Sequence, residues 1–362
     1  MICGLKGIFE KCSLEATSEE HIIPNAIGGR LKRVCLCRNC NTKAGDQWDS
    51  GLAKQLNLLS ILFSVARERG DSPNEMILNN ELEKILFRED GTIIASAPKT
   101  NITEDNNGEI HIEVQSASSK TAKQIISGFL KKENLYAKSE IEYREELESY
   151  SLDFSISFDF TDESFARSLV KMAYLYAYSS GIEGRNLDSA FAYLDGESKE
   201  HCFGPCYKED LVINRPEEVP IHVVVVKCCA INKIVYGYLE LFGFIRVIVK
   251  LGDYIGRENL MFKYFLDPTT GEELNIDINL DLTIEEVNAI LKPQRSEIES
   301  FNILLESKFN LFIKKWNKKR LRKAIEWASC KASQELNQSK EENIQAYIFL
   351  VYKNLSSLNI FN

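Results

Sequence analysis

The chain of 362 residues lacks any long hydrophobic run, and it is poor in histidine, methionine and tryptophan. Because a membrane-spanning helix needs about 18 or more consecutive apolar residues, none is expected here. The beginning of the chain lacks the basic, apolar and small-residue order of a secretory signal, so we expect a cytoplasmic, reducing environment. The net charge of −9 excludes a surface coated uniformly with cations, so any contact with nucleic acid must be local.

The composition is that of a globular protein, with 44% hydrophobic and 27% charged residues, and it excludes a disordered or fibrous chain. A length of this order predicts two or three domains. Trp48, Leu56 and Phe63 recur at helical spacing, which predicts an amphipathic helix over about 46–68 that ends at Gly70. We therefore divide the chain into an N-terminal domain, a larger central domain and a C-terminal helical region, with the ranges 1–70, 71–280 and 281–362.

Half of the ten cysteines stand within the first forty positions. They are Cys3, Cys12, Cys35, Cys37 and Cys40. In a reducing compartment such a cluster indicates thiols or metal ligands rather than disulfides. The spacing Cys37-x-x-Cys40 is half of a zinc site, and tetrahedral zinc needs two further donors. Cys3 and Cys12 are the nearest candidates for these two ligands, and Cys35 is the alternative. The competing interpretation is a cluster of buried or surface thiols without metal.

Positive charge is segregated along the chain. Residues 1–70 hold ten basic and seven acidic residues, and the segment from Lys308 to Lys323 holds eight basic residues and no acid. This asymmetry is typical of a protein with one side that faces a polyanion. For the second segment, contact with DNA, contact with an acidic protein and a merely solvated helix face all stay open.

The central and C-terminal patterns predict an α+β fold. Alternating apolar residues from Leu152 to Phe160 predict a strand, and helical spacing after Thr161 or Asp162 predicts a capped helix. Three apolar runs then predict an antiparallel sheet, at Ile221–Val226, Ile234–Leu241 and Phe244–Leu251. From Thr283 the chain is expected to be helical, with a long basic helix over about 295–332 and a last helix that begins near Ile344. Thr283-x-x-Glu286 and Ser339-x-x-Glu342 predict capping boxes.

The most informative segment reads Glu20-His21-Ile22-Ile23-Pro24, continues to Gly28-Gly29, and ends in Cys37-x-x-Cys40-Asn41. Pro24 predicts that a strand through Glu20 and His21 ends early. This order resembles the HNH endonuclease family, in the branch whose ββα-metal finger is held by a cysteine zinc site. The resemblance covers about residues 1–55. It implies a small ββα-metal finger with a structural Zn²⁺ bound by Cys3, Cys12, Cys37 and Cys40.

The resemblance also implies the roles of three residues. His21 would be the general base, and Glu20 and Asn41 would bind a catalytic Mg²⁺ or Mn²⁺. The chemistry is consistent, because an imidazole with a pKa near neutrality can accept a proton from water, and a hard cation prefers carboxylate and amide oxygens. Phosphate contacts are expected from the basic residues that flank these positions, namely Arg30, Lys32, Arg33, Arg38 and Lys43.

The function expected from this resemblance is metal-dependent hydrolysis of DNA, with double-stranded DNA as the substrate. HNH fingers often act as effectors of antiphage systems, so residues 71–362 are expected to recognise a trigger, a partner or a DNA feature. An activating protein or small molecule and a homo-oligomer stay open. The alternative is a catalytically decayed zinc finger that binds nucleic acid or a protein without cutting, because Val34-Cys35-Leu36 stands where the family commonly has a polar residue.

Overall fold

The computed structural model describes most of the chain between residues 17 and 356. The described ranges are 17–70, 73–78, 84–88, 93–95, 98–106, 109–116, 119–132, 158–198, 200–207, 209–292, 295–339 and 344–356. Within them no helix combines the length and the apolar character needed to cross a membrane.

Fifteen strands and eight α-helices are present in the described residues. The strands are β1 Thr17–His21, β2 Lys32–Cys37, β3 Glu75–Leu78, β4 Lys84–Phe87, β5 Ile93–Ala95, β6 Lys99–Glu104, β7 Ile110–Gln115, β8 Phe203–Pro205, β9 Val212–Ile213, β10 His222–Cys229, β11 Ile234–Leu241, β12 Ile245–Asp253, β13 Leu260–Asp267, β14 Glu272–Glu273 and β15 Asp277–Ile278. The helices are α1 Arg38–Ala44, α2 Ser50–Leu62, α3 Ser119–Lys132, α4 Glu163–Ser179, α5 Asp188–Asp195, α6 Ile284–Ile290, α7 Arg295–Ser339 and α8 Ile344–Ser356.

The chain divides into two compact units. The first unit comprises Met1–Pro73 and Ser157–Lys314, and the second comprises Asn74–Ile156 and Lys315–Asn362. The first boundary lies close to the domain edge predicted at residue 70. The first unit therefore joins the N-terminal segment to residues 157–314. The division into 1–70, 71–280 and 281–362 stays a prediction.

The first unit is built on a six-stranded sheet in the order β14-β13-β10-β11-β12-β8, in which all pairs are antiparallel. The three predicted apolar runs form β10, β11 and β12, so the predicted antiparallel sheet is confirmed. Most of their side chains are buried, as expected for strands that are covered on both faces. Helix α4 packs on this sheet so closely that a Cβ added at Gly237 of β11 would lie 3.1 Å from the Cβ of Ala173.

Helix α4 begins where the sequence predicts. Asp162 is its N-cap, and the Asp162 carboxylate accepts a hydrogen bond of 2.8 Å from the backbone N–H of Phe165. The strand predicted just before it is wrong for Phe158 and Phe160, which lie in a coil and a turn; residues 152–157 lie outside the described residues. The Asp159 carboxylate accepts from Thr161, and this local turn competes with a strand.

The helix predicted over 46–68 is shifted. Helical structure runs from α1 through a π-helical turn at Gly45–Asp49 into α2, so it begins and ends earlier than expected. The chain leaves the helix after Leu62, and Ser64 takes a left-handed conformation with a φ of 55°. The predicted end at Gly70 is wrong because this break comes before the glycine.

The second unit contains a three-stranded sheet β3-β4-β5, a hairpin β6-β7, helix α3, helix α8 and the later part of α7. The long C-terminal helix and the last helix are confirmed. In the first unit, the predicted capping box at Thr283 and Glu286 is also present, with both reciprocal hydrogen bonds. The second predicted capping box involves Glu342, which lies outside the described residues.

Candidate active site

The motif residues Glu20, His21 and Asn41 lie on a hairpin and the helix that follows it. Strands β1 and β2 pair antiparallel with His21 opposite Lys32, and α1 follows β2 directly. Strand β1 ends at His21, as expected from the nearby Pro24. The returning loop requires glycine at two positions: Gly28 has a φ of 92°, and a Cβ on Gly29 would lie 1.7 Å from the Ile23 carbonyl oxygen.

Glu20 and His21 point to opposite sides of the strand, as their adjacent positions in β1 require. The residue Glu20 is 6% exposed, whereas the side chain of His21 is 23% exposed. Their polar contacts differ accordingly. The motif therefore has a buried acidic side and a solvent-facing imidazole side.

The carboxylate of Glu20 lies in a buried ion cluster. Its Oε1 contacts the ammonium Nζ of Lys171, which in turn contacts Oδ2 of Asp49. The hydroxyl of Ser168 donates a hydrogen bond of 2.6 Å to the other oxygen of Asp49. Lys171 and Ser168 lie on α4, and both are fully buried. The acidic residue of the motif is thus joined to a helix about 150 residues downstream.

Burial and charge act against each other in this cluster. Burial raises the pKa of Glu20, Lys171 opposes that rise and Asp49 adds to it, so the pKa of Glu20 ends above its usual value. For Lys171, burial alone would lower the pKa, but the two carboxylates outweigh it and raise the pKa. The ammonium of Lys171 is therefore the charged, resident cation beside Glu20.

His21 is held by a second carboxylate. Its Nε2 lies 3.1 Å from Oε2 of Glu68, and the same oxygen lies 2.6 Å from Nζ of Lys32. Hydrogen bonds from Lys32 and His21 lower the pKa of Glu68 to about 2, so this carboxylate is ionised and can only accept. With the proton assigned to Nε2 on that ground, Nδ1 is the basic nitrogen of the imidazole.

Asn41 lies on α1 and contacts β1. Its Nδ2 donates to Oγ of Ser18 at 2.9 Å and to the carbonyl oxygen of Glu19 at 3.1 Å. Both hydrogen bonds use the donor nitrogen, so Oδ1 is the atom that remains for a cation. The hydrogen bonds described for Glu20, His21 and Asn41 thus go to three different sets of partners, although the three residues share β1 and the helix packed beside it.

The cysteine pair marks the beginning of α1. Cys37 is its N-cap, and the Cys37 thiol accepts a hydrogen bond of 3.4 Å from the backbone N–H of Cys40. Both residues are buried. Cys35 is also buried, and burial followed by the nearby charge of Glu20 raises the pKa of its thiol to about 12. Cys3 and Cys12 lie outside the described residues, so the zinc ligand set stays a prediction.

The five basic residues expected to contact phosphate differ in their surroundings. Arg33, Arg38 and Lys43 are exposed. Arg30 is half-buried and donates to the carbonyl of Ala66 at 2.9 Å, and Lys32 is bound to Glu68 as described above. Three of the five therefore present their charge to solvent, although Arg33 also donates to the carbonyl of Lys32 at 2.9 Å.

His222 has a structural role. It is fully buried on β10, its Nε2 lies 2.8 Å from the Ile27 carbonyl, and its Nδ1 accepts a 3.1 Å hydrogen bond from the N–H of Phe242. Burial lowers the pKa of this imidazole to about 4. His222 therefore fastens the loop of the hairpin to the central sheet in its neutral form.

The second unit contains one further group with metal-ligand chemistry in its described part. Possible ligand atoms of Asp105, Glu109 and His111 lie within 4.8 Å of one another at the β6-β7 turn. His111 is exposed to solvent. The turn also explains part of the clustering, because the Asp105 carboxylate accepts from the backbone N–H of Glu109.

No sequence pattern singled out four residues that contact the motif directly or through one another, namely Asp49, Glu68, Ser168 and Lys171. Their contacts to the motif span long sequence separations, such as 151 residues between Glu20 and Lys171. One signal was present: Lys171 stands between Val170 and Met172 in a helix that is apolar on nearly all sides. A lysine in such a position is rarely buried without a partner.

A comparison with protein families matches the segment that carries the motif. Neither the curated proteins nor the solved structures that were compared with the chain gave a match. Residues 9–57 match the family model described as HNH endonuclease, a segment that includes β1, β2, α1 and the first part of α2. The N-terminal part of this chain is thus an HNH-family domain, which suggests nuclease activity on nucleic acid.

Proposed function

We propose that the chain is a metal-dependent HNH endonuclease that hydrolyses phosphodiester bonds of double-stranded DNA. The observation that carries this proposal is the family match over residues 9–57, which contains Glu20, His21 and Asn41 on adjacent elements. The imidazole of His21, whose side chain is 23% exposed, is the general base that removes a proton from the attacking water through Nδ1. Glu68 is a positioning residue, because its carboxylate fixes the orientation and tautomer of the ring.

The donor set suits a hard cation such as Mg²⁺ or Mn²⁺. A carboxylate from Glu20 and the amide Oδ1 of Asn41 are oxygen ligands of the kind that these ions prefer. The Glu20 carboxylate is in contact with the ammonium of Lys171, so an ion that binds Glu20 would have to compete with that ammonium. When bound, a divalent ion supplies positive charge that stabilises the phosphorane and the leaving oxygen.

The surrounding basic residues hold the substrate backbone. Arg33, Arg38 and Lys43 are exposed near the hairpin and would contact phosphates on either side of the scissile bond. Arg30 and Lys32 contribute positive charge while they support the loop and Glu68. Such contacts carry no base information, so they predict binding that weakens strongly with salt.

A structural Zn²⁺ bound by Cys3, Cys12, Cys37 and Cys40 stabilises the finger. The buried pair Cys37 and Cys40 at the beginning of α1 supports this, because its Cys-x-x-Cys spacing is that of half a zinc site. Residues 71–362 sense an activating protein or small molecule, as in an antiphage effector.

One observation favours a second function. The Glu20 carboxylate is paired with Lys171, and a carboxylate neutralised in this way is a weaker ligand for a second cation. A zinc finger that binds nucleic acid or a protein partner without cutting would keep this pair permanently.

A plasmid assay separates the two functions. Supercoiled plasmid is incubated with the full chain and Mg²⁺ or Mn²⁺, with a chelator in the control reaction, and the same preparation is analysed for zinc. The nuclease proposal requires nicked or linear product only with the divalent ion, and about one zinc per chain. Plasmid that is retained on the protein but stays supercoiled with both ions supports the binding module.

A further inference from the structure

The buried lysine beside the motif lies outside the family-matched residues. Lys171 is on α4, far from residues 9–57, and its side chain is completely inaccessible to solvent. Its Nζ contacts Oε1 of Glu20 and Oδ2 of Asp49, which come from β1 and the π-helical turn. A lysine is buried in this way only with charged partners, so the contact with both acids is a built feature of the fold.

The charges in this cluster do not balance. With both carboxylates ionised, Glu20, Asp49 and Lys171 carry two negative charges and one positive charge. The hydroxyl of Ser168 satisfies one oxygen of Asp49 but adds no charge. Because a buried net charge is costly, the cluster favours an additional cation. If a divalent ion binds Glu20 while the ammonium stays with Asp49, the cluster carries a single positive charge, which complements the single negative charge of a phosphodiester.

We propose that Lys171 is a positioning residue that competes with the divalent ion for Glu20 and thereby sets the affinity of the site for that ion. Asp49 keeps the ammonium of Lys171 when the ion holds Glu20. This inference rests on the proposed function, since it takes Glu20 as a ligand of the ion. It adds two residues to the site, and both lie outside the Glu20, His21 and Asn41 set.

Two single variants should change the affinity for Mn²⁺ in opposite directions. Lys171→Met removes the competing ammonium, so we expect Mn²⁺ to bind at least about tenfold more tightly. Asp49→Asn removes the second partner of the ammonium, so Lys171 pairs with Glu20 alone and Mn²⁺ binds about tenfold more weakly. In the double variant the Asp49→Asn change should have little further effect, because the residue through which it acts is gone.

The same variants make a prediction about stability. Lys171→Met leaves two buried carboxylates without a cation, so its melting temperature should fall by on the order of 10 °C without metal. Saturating Mn²⁺ should restore much of this loss, because the ion binds only the folded chain. Lys263→Met is the matched control, since Lys263 pairs with Asp277 at the surface, and its affinity and melting temperature should stay unchanged.

The experiment measures Mn²⁺ binding to the full chain by calorimetry, together with thermal unfolding with and without Mn²⁺. The inference is overturned if folded Lys171→Met binds Mn²⁺ no more tightly than the wild type. If Lys171→Met does not fold, Asp49→Asn decides alone, since its remaining pair is charge-balanced; unchanged or tighter binding by that variant overturns the inference. The inference is also overturned if Asp49→Asn weakens Mn²⁺ binding equally in the wild type and in Lys171→Met, because Asp49 would then be a direct ligand of the ion.

Glu20→Gln distinguishes this inference from the proposed function. If that variant binds Mn²⁺ as the wild type does, Glu20 is not a ligand and both proposals fail. If it loses binding while Lys171→Met and Asp49→Asn leave the affinity unchanged, the proposed ligand role of Glu20 stands and only the role of Lys171 is refuted.

Discussion

Mild acid should weaken the attachment of the β1–β2 loop to the central sheet, because this attachment depends on one imidazole, that of His222. His222 is fully buried, and its Nδ1 accepts the N–H of Phe242 while Nε2 donates to the carbonyl of Ile27. Both hydrogen bonds need the neutral ring. Protonation would place an N–H opposite the N–H of Phe242 and would add a buried charge, so the folded state resists it.

The magnitude follows from the two pKa values. Burial lowers the pKa of His222 from 6.5 to about 4, so between these values the unfolded chain binds a proton that the folded chain does not. Stability therefore rises with pH across this window and is lost as the pH falls from about 6.5 to about 4. A difference of about 2.5 units at about 1.4 kcal/mol per unit corresponds to a loss of roughly 3 kcal/mol.

His222→Gln isolates this effect, because the amide can replace both hydrogen bonds but does not titrate in this range. The free energy of unfolding is measured by urea denaturation at pH 7 and at pH 4 for both proteins. Between pH 7 and pH 4 the free energy of unfolding of the wild type should fall by about 3 kcal/mol more than that of the variant. The other titrating groups are the same in both proteins, so their contribution cancels in this difference. His201→Gln, at an exposed position, should behave as the wild type. Equal losses in the wild type and His222→Gln would refute the reasoning.

Two further predictions concern the hairpin and the imidazole. Gly29→Ala should lower the free energy of unfolding by several kcal/mol, because the added Cβ would collide with a backbone oxygen. Gly45→Ala is the control: Gly45 lies in a helical turn with open space around it, so the change should be neutral or slightly stabilising. Urea denaturation compares the two variants, and equal stabilities would contradict the loop geometry. Glu68→Gln should lower the nicking rate by on the order of 10–100-fold without unfolding the chain, since an amide, unlike a carboxylate, does not hold the proton of His21 on Nε2. A nicking rate equal to that of the wild type would show that Glu68 does not position His21.

Local signals explain what the sequence could predict. The strands β10, β11 and β12 are long apolar runs, and the caps at Asp162 and Thr283 are short-range patterns in which the capping atoms stand three residues apart. The motif at Glu20 and His21 was recognisable because its residues are contiguous and their order is specific. Strand β1 also ends where Pro24 predicts, since proline has no N–H for the ladder.

Long-range packing explains what the sequence could not predict. Nothing near Glu20 indicates that Lys171 would reach it, because the pairing depends on α4 lying beside the hairpin. Glu68 is likewise 47 residues from His21 and stands in a loop that was read as the end of a helix. In the second unit the side chains of β4, β6 and β7 are mostly exposed or half-buried, so the alternation of buried and exposed residues was too weak to be read from the sequence.

Activation of water by His21 in a metal-dependent nuclease can be measured as the rate of plasmid nicking by the purified full chain. With Mg²⁺ or Mn²⁺, His21→Ala should nick about 10²–10⁴-fold more slowly than the wild type, while His111→Ala, an exposed histidine of the second unit, should retain the full rate. If His21→Ala nicks as fast as the wild type, the assignment of the base is contradicted.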